Sequence, residues 1–204
     1  MRFNHKFESV YRATLKKIFE FVDQYNRKHE FKSFSEYLRS GLRNVLSKRG
    51  DKAEQQKGFY IDIEKEEVNT NNIEIRLEQF GLATKLGLWQ ESFQLLEDIN
   101  DIIKVRKVPV KNSVKCAYFE KLAVIFKKSN YWHYHANAFF NYYSVYITKS
   151  KLSATEKLKL ADKLILSVLC IPPSTIEKNQ SKESQQKIAS LLISGGKIPT
   201  KQEL

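Results

Sequence analysis

The amino-acid sequence predicts an all-α protein of stacked helical hairpins with no sheet, and three observations carry that prediction. Helix formers such as Lys, Leu, Glu and Gln are abundant, whereas the 204 residues hold only 7 glycines and 4 prolines, a balance that favours helix over strand. Apolar side chains recur at three- and four-residue steps in one segment after another, the period of a helix with a single buried face. Two such segments with their turn make a unit of about forty residues, the range of tetratricopeptide- and HEAT-like arrays. No repeat consensus is visible, so the expected architecture is an irregular, right-handed solenoid.

The elements follow in order. Phe7, Val10, Tyr11, Leu15, Ile18, Phe19, Val22 and Tyr25 mark a first helix over about 5–28. Phe31, Phe34, Tyr37, Leu38, Leu42, Val45 and Leu46 mark a second that ends at Lys48-Arg49-Gly50, where cations and a glycine suit the negative end of the helix dipole. Residues 49–71 change character: Gly50, Gly58, Glu64-Lys65-Glu66-Glu67 and Asn69-Thr70-Asn71-Asn72 surround a short apolar patch at Phe59 to Ile63, which predicts an exposed connection. A third helix runs from Ile73 through Phe80 to Gly87, and a fourth from Leu88 to Val105, with Trp89, Phe93, Leu96 and Ile103 on one face and Leu88, Leu95, Ile99 and Ile102 on the next. So wide an apolar arc fits a helix flanked on two sides.

Arg106-Lys107-Val108-Pro109 breaks the period, because proline disfavours helix in the residue before it. The fifth helix, 111–128, carries Val114, Tyr118, Leu122, Ile125 and Phe126, and the sixth, 131–148, is the most aromatic segment of the chain. Ser153 with Glu156 three residues on reads as a capping box opening a seventh helix, which Ile171-Pro172-Pro173 ends. The rest is polar, with one short helix around Gln185–Ile193 and a loose tail after Gly195-Gly196. The expected divisions are an N-terminal hairpin (1–50), a polar connection (51–72), a helical-repeat body (73–173) and a polar C-terminal segment (174–204).

Charge is unevenly distributed. Residues 1–52 sum to +7, 53–100 to −6 and 101–204 to +11, within a net charge of +12. Such asymmetry suits a body that meets an acidic surface such as RNA with some faces and neutral or basic proteins with another. Lysines outnumber arginines 27 to 8, which speaks against base readout by arginine forks. No stretch approaches the roughly 18 apolar residues of a membrane span, the N-terminus lacks the pattern of a secretory signal, and two cysteines make no disulfide framework. A cytoplasmic protein with no membrane partner is expected.

Candidate contacts to RNA or the ribosome are Arg106, Lys107, Lys111, Lys127 and Lys128. The aromatic cluster Trp132, Tyr134, Tyr142, Tyr143 and Tyr146, beside Lys127 and Lys128, has the ingredients for stacking single-stranded bases, although helix packing accounts for the same residues. The expected core comprises Trp89, Phe93, Leu96, Tyr118, Leu122, Phe126, Phe139 and Tyr142. His133 and His135, two apart on a helix, point to different faces and lack companion ligands, so no metal site is expected. Cys116 and Cys170 read as buried small hydrophobes rather than nucleophiles. Ser184-Gln185-Gln186-Lys187 has S-x-x-K spacing without its companion motifs, Asn179-Gln180-Ser181 is a formal glycosylation sequon, and no phosphate-cradling or dinucleotide-binding glycine pattern occurs. The sequence thus offers no catalytic, metal or cofactor residues and no small-molecule substrate site.

Several collinear fragments carry a resemblance: Tyr25-Asn26-Arg27-Lys28-His29-Glu30-Phe31 with Leu38-Arg39 and Leu42, Ile75-Arg76-Leu77, Leu86-Gly87-Leu88-Trp89-Gln90-Glu91-Ser92-Phe93 with Glu97-Asp98-Ile99, Tyr118-Phe119-Glu120-Lys121-Leu122, Phe126-Lys127-Lys128-Ser129-Asn130, Tyr134-His135-Ala136 and Leu169-Cys170-Ile171-Pro172. Together they resemble the family of the largest subunit of eukaryotic translation initiation factor three, over about residues 8–173. The resemblance implies stacked helical hairpins leading into a PCI domain. It implies a non-catalytic scaffold that joins other subunits of the factor, the c subunit foremost, and contacts the small ribosomal subunit, with ribosomal RNA as a candidate surface. It also implies a further helical region ahead of Met1's counterpart and a winged helix and charged tail beyond Pro173's, so a fragment or a reduced homologue is expected. A scaffold subunit of another PCI complex, such as the proteasome lid or the signalosome, and a direct RNA-binding helical module are the alternatives.

Overall fold

In a computed structural model the described residues are 8–48, 62–105, 109–148, 153–172, 188 and 190–192. Among them are seven α-helices and no strand: α1 (Glu8–Tyr25), α2 (Lys28–Ser47), α3 (Glu66–Lys85), α4 (Trp89–Val105), α5 (Asn112–Lys128), α6 (Trp132–Ile147) and α7 (Ala154–Leu169). Phe7, Arg106, Lys107, the apolar patch at 59–61 and most of segment 174–204 lie outside the described residues. The chain forms two compact units, Met1–Val110 and Lys111–Leu204.

Three hairpin turns are built alike. After α1, Asn26 takes φ 50°, after α3 Gly87 takes φ 75°, and after α5 Asn130 takes φ 59°. In each, the left-handed residue and its successor donate back into the last turn: Arg27 N to Val22 O at 3.2 Å, Leu88 N to Ala83 O at 2.9 Å, and Tyr131 N to Phe126 O at 2.9 Å. This six-residue closure satisfies carbonyls that the helix end leaves open, and asparagine and glycine are the residues that tolerate the required backbone. Two helices then run antiparallel with little chain spent between them.

Within the first unit the hairpin α1–α2 stacks on α3–α4. Arg12 Nη2 reaches Glu74 at 2.5 Å, Lys16 reaches Glu78 at 3.7 Å and Lys85 reaches Asp23 at 2.6 Å. The partners' numbers rise together at a constant offset of 62 residues, so α1 and α3 are parallel, and with both hairpins antiparallel α2 and α4 are parallel too. That is the relation of successive repeats in a helical array. The charge blocks are therefore spent partly on each other: three ion pairs tie the first hairpin to the second along α1 and α3.

The core of this unit holds Leu15, Phe19 and Val22 of α1, Phe31, Leu38 and Leu42 of α2, Ile73, Phe80 and Ala83 of α3, and Leu95, Leu96, Ile99 and Ile102 of α4. Polar side chains share it. Arg39 of α2 donates from Nε to Asp98 Oδ2 at 3.3 Å and from Nη1 to Glu36 at 3.0 Å and to Gln94, and its Nη2 lies 3.6 Å from Glu91. Arg76 of α3 donates to Gln79 Oε1 at 2.9 Å and to the Leu38 carbonyl at 3.0 Å, while Gln79 donates to Ser35 Oγ at 2.8 Å. Ser35, Arg39, Arg76, Gln79 and Asp98 are all buried, so these bonds hold α2, α3 and α4 in one register.

Two expectations about this unit are corrected. α3 starts at Glu66, not Ile73, because Glu66 and Glu67 suit the positive end of the helix dipole and Asn69 is anchored inside. Asn69 is 0% exposed, its amide donating to the carbonyls of Ile63 at 3.3 Å and Ile102 at 3.1 Å. Trp89 is not a core residue but 37% exposed, and Phe93 is half-buried. The buried arc of α4 is carried by Ser92, Leu95, Leu96, Ile99 and Ile102, which leaves Trp89 and Phe93 on its flank.

In the second unit α5 packs on α6 and α6 on α7. α5 supplies the core with Val114, Tyr118, Leu122, Ile125 and Phe126, joined by Tyr134, Ala136 and Ala138 of α6 and Leu164 of α7. Tyr118, fully buried, donates its hydroxyl to the Leu191 carbonyl at 2.8 Å. The capping box opens α7: Glu156 N donates to Ser153 Oγ at 3.3 Å and Ser153 N to Glu156 Oε2 at 3.0 Å.

Candidate interaction surface

Among the described residues, the basic residues singled out from the sequence, Lys111, Lys127 and Lys128, do not form one patch. Lys127 and Lys128 are the last residues of α5, whereas Lys111 caps its first turn, and a helix of 17 residues separates its ends by about 25 Å. All three lysines are exposed. At the C-terminal end of α5, Lys127 and Lys128 also complement the helix dipole.

The aromatic cluster is rearranged relative to expectation. Tyr134 is buried against Phe126, with ring centroids 5.6 Å apart. What lies on the flank of α6 is a ladder of Trp132, His135, Phe139, Tyr142 and Tyr146, with successive centroids 6.2, 6.4, 5.6 and 5.3 Å apart. All five are half-buried. Phe139 and Tyr142 are therefore not core residues: Tyr134, Asn137 and Ala138 form one buried sector of α6, the fully buried Ala136 lies nearly opposite, and the ladder runs between them, about 120° around the helix from the first. Trp132 meets His135 edge-on at 86°, the next two pairs are tilted at 38° and 40°, and Tyr142 stacks on Tyr146 at 30°, offset arrangements that aromatic pairs prefer.

His135 is fixed in the middle of the ladder. Its Nδ1 lies 2.8 Å from the Ala123 carbonyl, which only accepts, so Nδ1 carries the proton and Nε2 is left as an acceptor. Burial holds the imidazole below its ordinary range; the hydrogen bond to Ala123 acts against this and the charge of Lys127 adds to it. Farther along, burial pushes the Tyr142 phenol up, with the charges of Tyr146, Glu120 and Cys116 contributing.

Beside the ladder runs a groove of about 350 Å³ lined by Lys127, Trp132, His135, Phe139, Lys163, Leu166, Ser167 and Cys170. Cys116 is buried, but Cys170 is exposed. The thiol follows the last residue of α7 on its outward side, so a buried position there is corrected. In the first unit, a second apolar groove of about 460 Å³ lies between α1 and α2, against Ile18, Phe21, Val22, Phe34 and Tyr37. Of the exposed Phe21, Tyr25 and Tyr37 of these helices, sequence reasoning placed Tyr25 and Tyr37 on the apolar stripes and did not single out Phe21. A signal for Phe21 existed, since Phe21 and Tyr25 are four apart and off the Leu15–Phe19–Val22 stripe. Among the described residues no group of three His, Cys, Asp or Glu side chains comes together in a metal-binding arrangement, and no helix is long and apolar enough to cross a membrane.

Comparison with known proteins agrees with this architecture. The family described as "eIF3a, PCI domain, TPR-like region" matches residues 1–204. A relative from Arabidopsis thaliana, named as the A subunit of eukaryotic translation initiation factor 3, is 34% identical over 200 residues, covering 94% of this chain and 20% of the relative. The protein of the same name from Nicotiana tabacum is 32% identical over 200 residues, with the same coverage of 94% and 20%. That from Aspergillus niger is 31% identical over 183 residues, covering 83% of this chain and 17% of the relative. The chain spans about one fifth of the length of the curated relatives it matches.

Proposed function

The chain belongs to the PCI-domain, TPR-like family of the largest subunit of eukaryotic translation initiation factor three, and from that membership we propose that it is a non-catalytic scaffold segment of the factor, working in the cytoplasm. Its role is to join other subunits of the factor, the c subunit foremost, and to attach them to the small ribosomal subunit. The observation that carries this reading is the family match along the whole of residues 1–204.

The architecture supports it physically. Stacked hairpins with parallel counterparts present ridges and grooves rather than a deep cleft, and such surfaces serve docking. Lys111, Lys127 and Lys128, with Arg106 and Lys107, are the candidate contacts to ribosomal RNA. They act as point charges on phosphate, without base specificity.

The test is co-purification of the tagged chain, expressed with its native flanks, followed by mass spectrometry. Recovery of initiation factor subunits, the c subunit among them, together with small ribosomal subunits, is the expected result. Recovery of proteasome-lid or signalosome subunits instead would move the chain to another PCI complex. Binding to ribosomal RNA fragments that weakens with salt and drops on reversing the charge of Lys127 and Lys128, without any protein partner, would make it an RNA-binding module.

A further inference from the structure

α7 is apolar on two faces, and no described residue covers one of them. Leu164, Ser167 and Ile171 turn inward and are buried, whereas Leu158, Ile165, Leu166 and Leu169 are 63%, 56%, 60% and 68% exposed. Positions 158, 165 and 169 fall within about 20° of one line along the helix, and 166 lies on the adjoining row. Single exposed leucines are ordinary, but an aligned stripe of four marks an interaction site.

Two further features define what fits it. Leu166 is also a wall of the groove lined by Trp132, His135 and Phe139, with Lys127 and Lys163 at its margins, so the stripe leads into a concavity of the size of a large side chain. The margins carry three lysines, Lys159 and Lys163 on one side with Glu156 near the start of that side, and Lys157 on the other, all exposed, and Asp162 is set among the leucines. Helices α5 to α7 carry seven lysines against three acidic residues, and α6 carries no Asp, Glu, Lys or Arg.

We propose that α7 and the adjoining groove form a docking site for an amphipathic helix of a partner protein, one with leucine or aromatic anchors along one face and acidic residues at its flanks. Its apolar face covers Leu158, Ile165 and Leu169, one anchor enters the groove against Phe139 and Leu166, and its carboxylates meet Lys127, Lys159 and Lys163. A second copy of the chain is disfavoured, because facing stripes would bring lysine margins against lysine margins. A nucleic acid is disfavoured because the exposed stripe is aliphatic, and the rings that line the groove, Trp132, His135 and Phe139, are half-buried and packed on one another rather than free to stack bases. An anionic membrane is disfavoured because a bilayer fills no concave groove. The inference rests on this surface alone and holds whichever complex the chain serves.

The experiment uses the full chain and a fluorescein-labelled synthetic helix of about 18 residues with leucines at i, i+3, i+4 and i+7 and glutamates on both flanks, read by anisotropy. Binding is expected to weaken roughly tenfold or more on Ile165→Ser combined with Leu169→Ser, with unchanged circular dichroism. Lys163→Glu should weaken the glutamate-flanked peptide and strengthen a lysine-flanked one with the same leucine face. Bound peptide should also shield exposed Cys170 from maleimide, with buried Cys116 as the unreactive internal standard. Equal affinity for both peptides, or binding indifferent to the substitutions at 165, 169 and 163, would overturn the proposal. So would self-association through this face by sedimentation, or preferential binding to phosphatidylserine vesicles or to a poly-uridine oligonucleotide.

Discussion

At the scale of single residues, burial decides which charges matter. Asp98 is buried between Arg39 and Arg76; burial pushes its carboxyl up, while the guanidiniums of Arg76 and Arg39 pull it back. Burial likewise lowers the Arg76 guanidinium, against the pull of Asp98. Asp98→Ala removes the buried carboxylate that acts on Arg76 and one partner of Arg39, which keeps Glu36, Gln94 and Glu91; a loss of about 1–3 kcal/mol in urea unfolding is the expected outcome. By comparison Lys104→Ala, whose contact with Asp101 is an exposed pair at 4.0 Å, should change stability by no more than about 1 kcal/mol. His135 supplies the pH dependence. Because its folded value is held down, the unfolded chain takes up a proton first on acidification. The stabilising contribution is therefore complete above the free imidazole value of about 6.5 and is lost as pH falls from there through His135's own lower value. Urea midpoints between pH 7.5 and 5.0 should drop more steeply for the natural chain than for His135→Gln. Little of this is legible in the sequence: Arg39, Arg76 and Asp98 stand within the segments that carry the family resemblance, yet periodicity assigns charged residues to water. Ser35 and Arg39, interleaved with Phe31, Leu38 and Leu42 at helical spacing, are the available hint.

At the scale of elements, the seven helices among the described residues and most of their boundaries can be read, because most of them have one dominant apolar stripe and close at a recognisable turn. The exceptions are physical. α3 opens with the polar run Glu66 to Asn72, where the dipole and the buried amide of Asn69 do the work that apolar period does elsewhere. α6 and α7 have two apolar sectors each, so counting apolar residues cannot say which is inside. In α6 the small Ala136 and Ala138, on nearly opposite sides, are both fully buried, and the larger rings between them are left half-buried on the flank. The turns test this level directly. Asn130 and Gly87 hold the same left-handed position at φ 59° and 75°. Asn130→Gly should therefore stabilise the chain slightly or leave it unchanged, whereas Gly87→Val should cost about 1–2 kcal/mol, since a β-branched residue is strained there. Thermal unfolding of the two variants, in opposite order, is the check. A space-filling account would not separate them, because a Cβ at Gly87 meets nothing within 4 Å.

At the scale of the molecule, the charge blocks are plain in the sequence but their use is not. A basic first segment and an acidic second one suggest surfaces for different partners, whereas between α1 and α3 they face each other. The repeat hidden by the lack of a consensus shows in the constant offset of 62 residues linking Arg12 to Glu74, Lys16 to Glu78 and Asp23 to Lys85. That offset is testable as a register. Arg12→Glu places a carboxylate against Glu74 and should destabilise by up to about 1 kcal/mol, and Glu74→Arg should do the same against the guanidinium of Arg12. The double variant reverses the pair. Asn71, which accepts from Arg12 Nη1 at 2.8 Å, can turn its amide to donate instead, so the swap should recover most of the loss and give a coupling of about 0.5–1 kcal/mol. Raising salt should shrink that coupling, because the side chains are 31% and 41% exposed. A coupling of zero at low salt would count against the stacking of α1 and α3 in this register, and the pairing of hairpins in the first unit would then rest on the buried contacts of α2 with α3 and α4, Arg76 to the Leu38 carbonyl, Gln79 to Ser35 and Arg39 to Asp98.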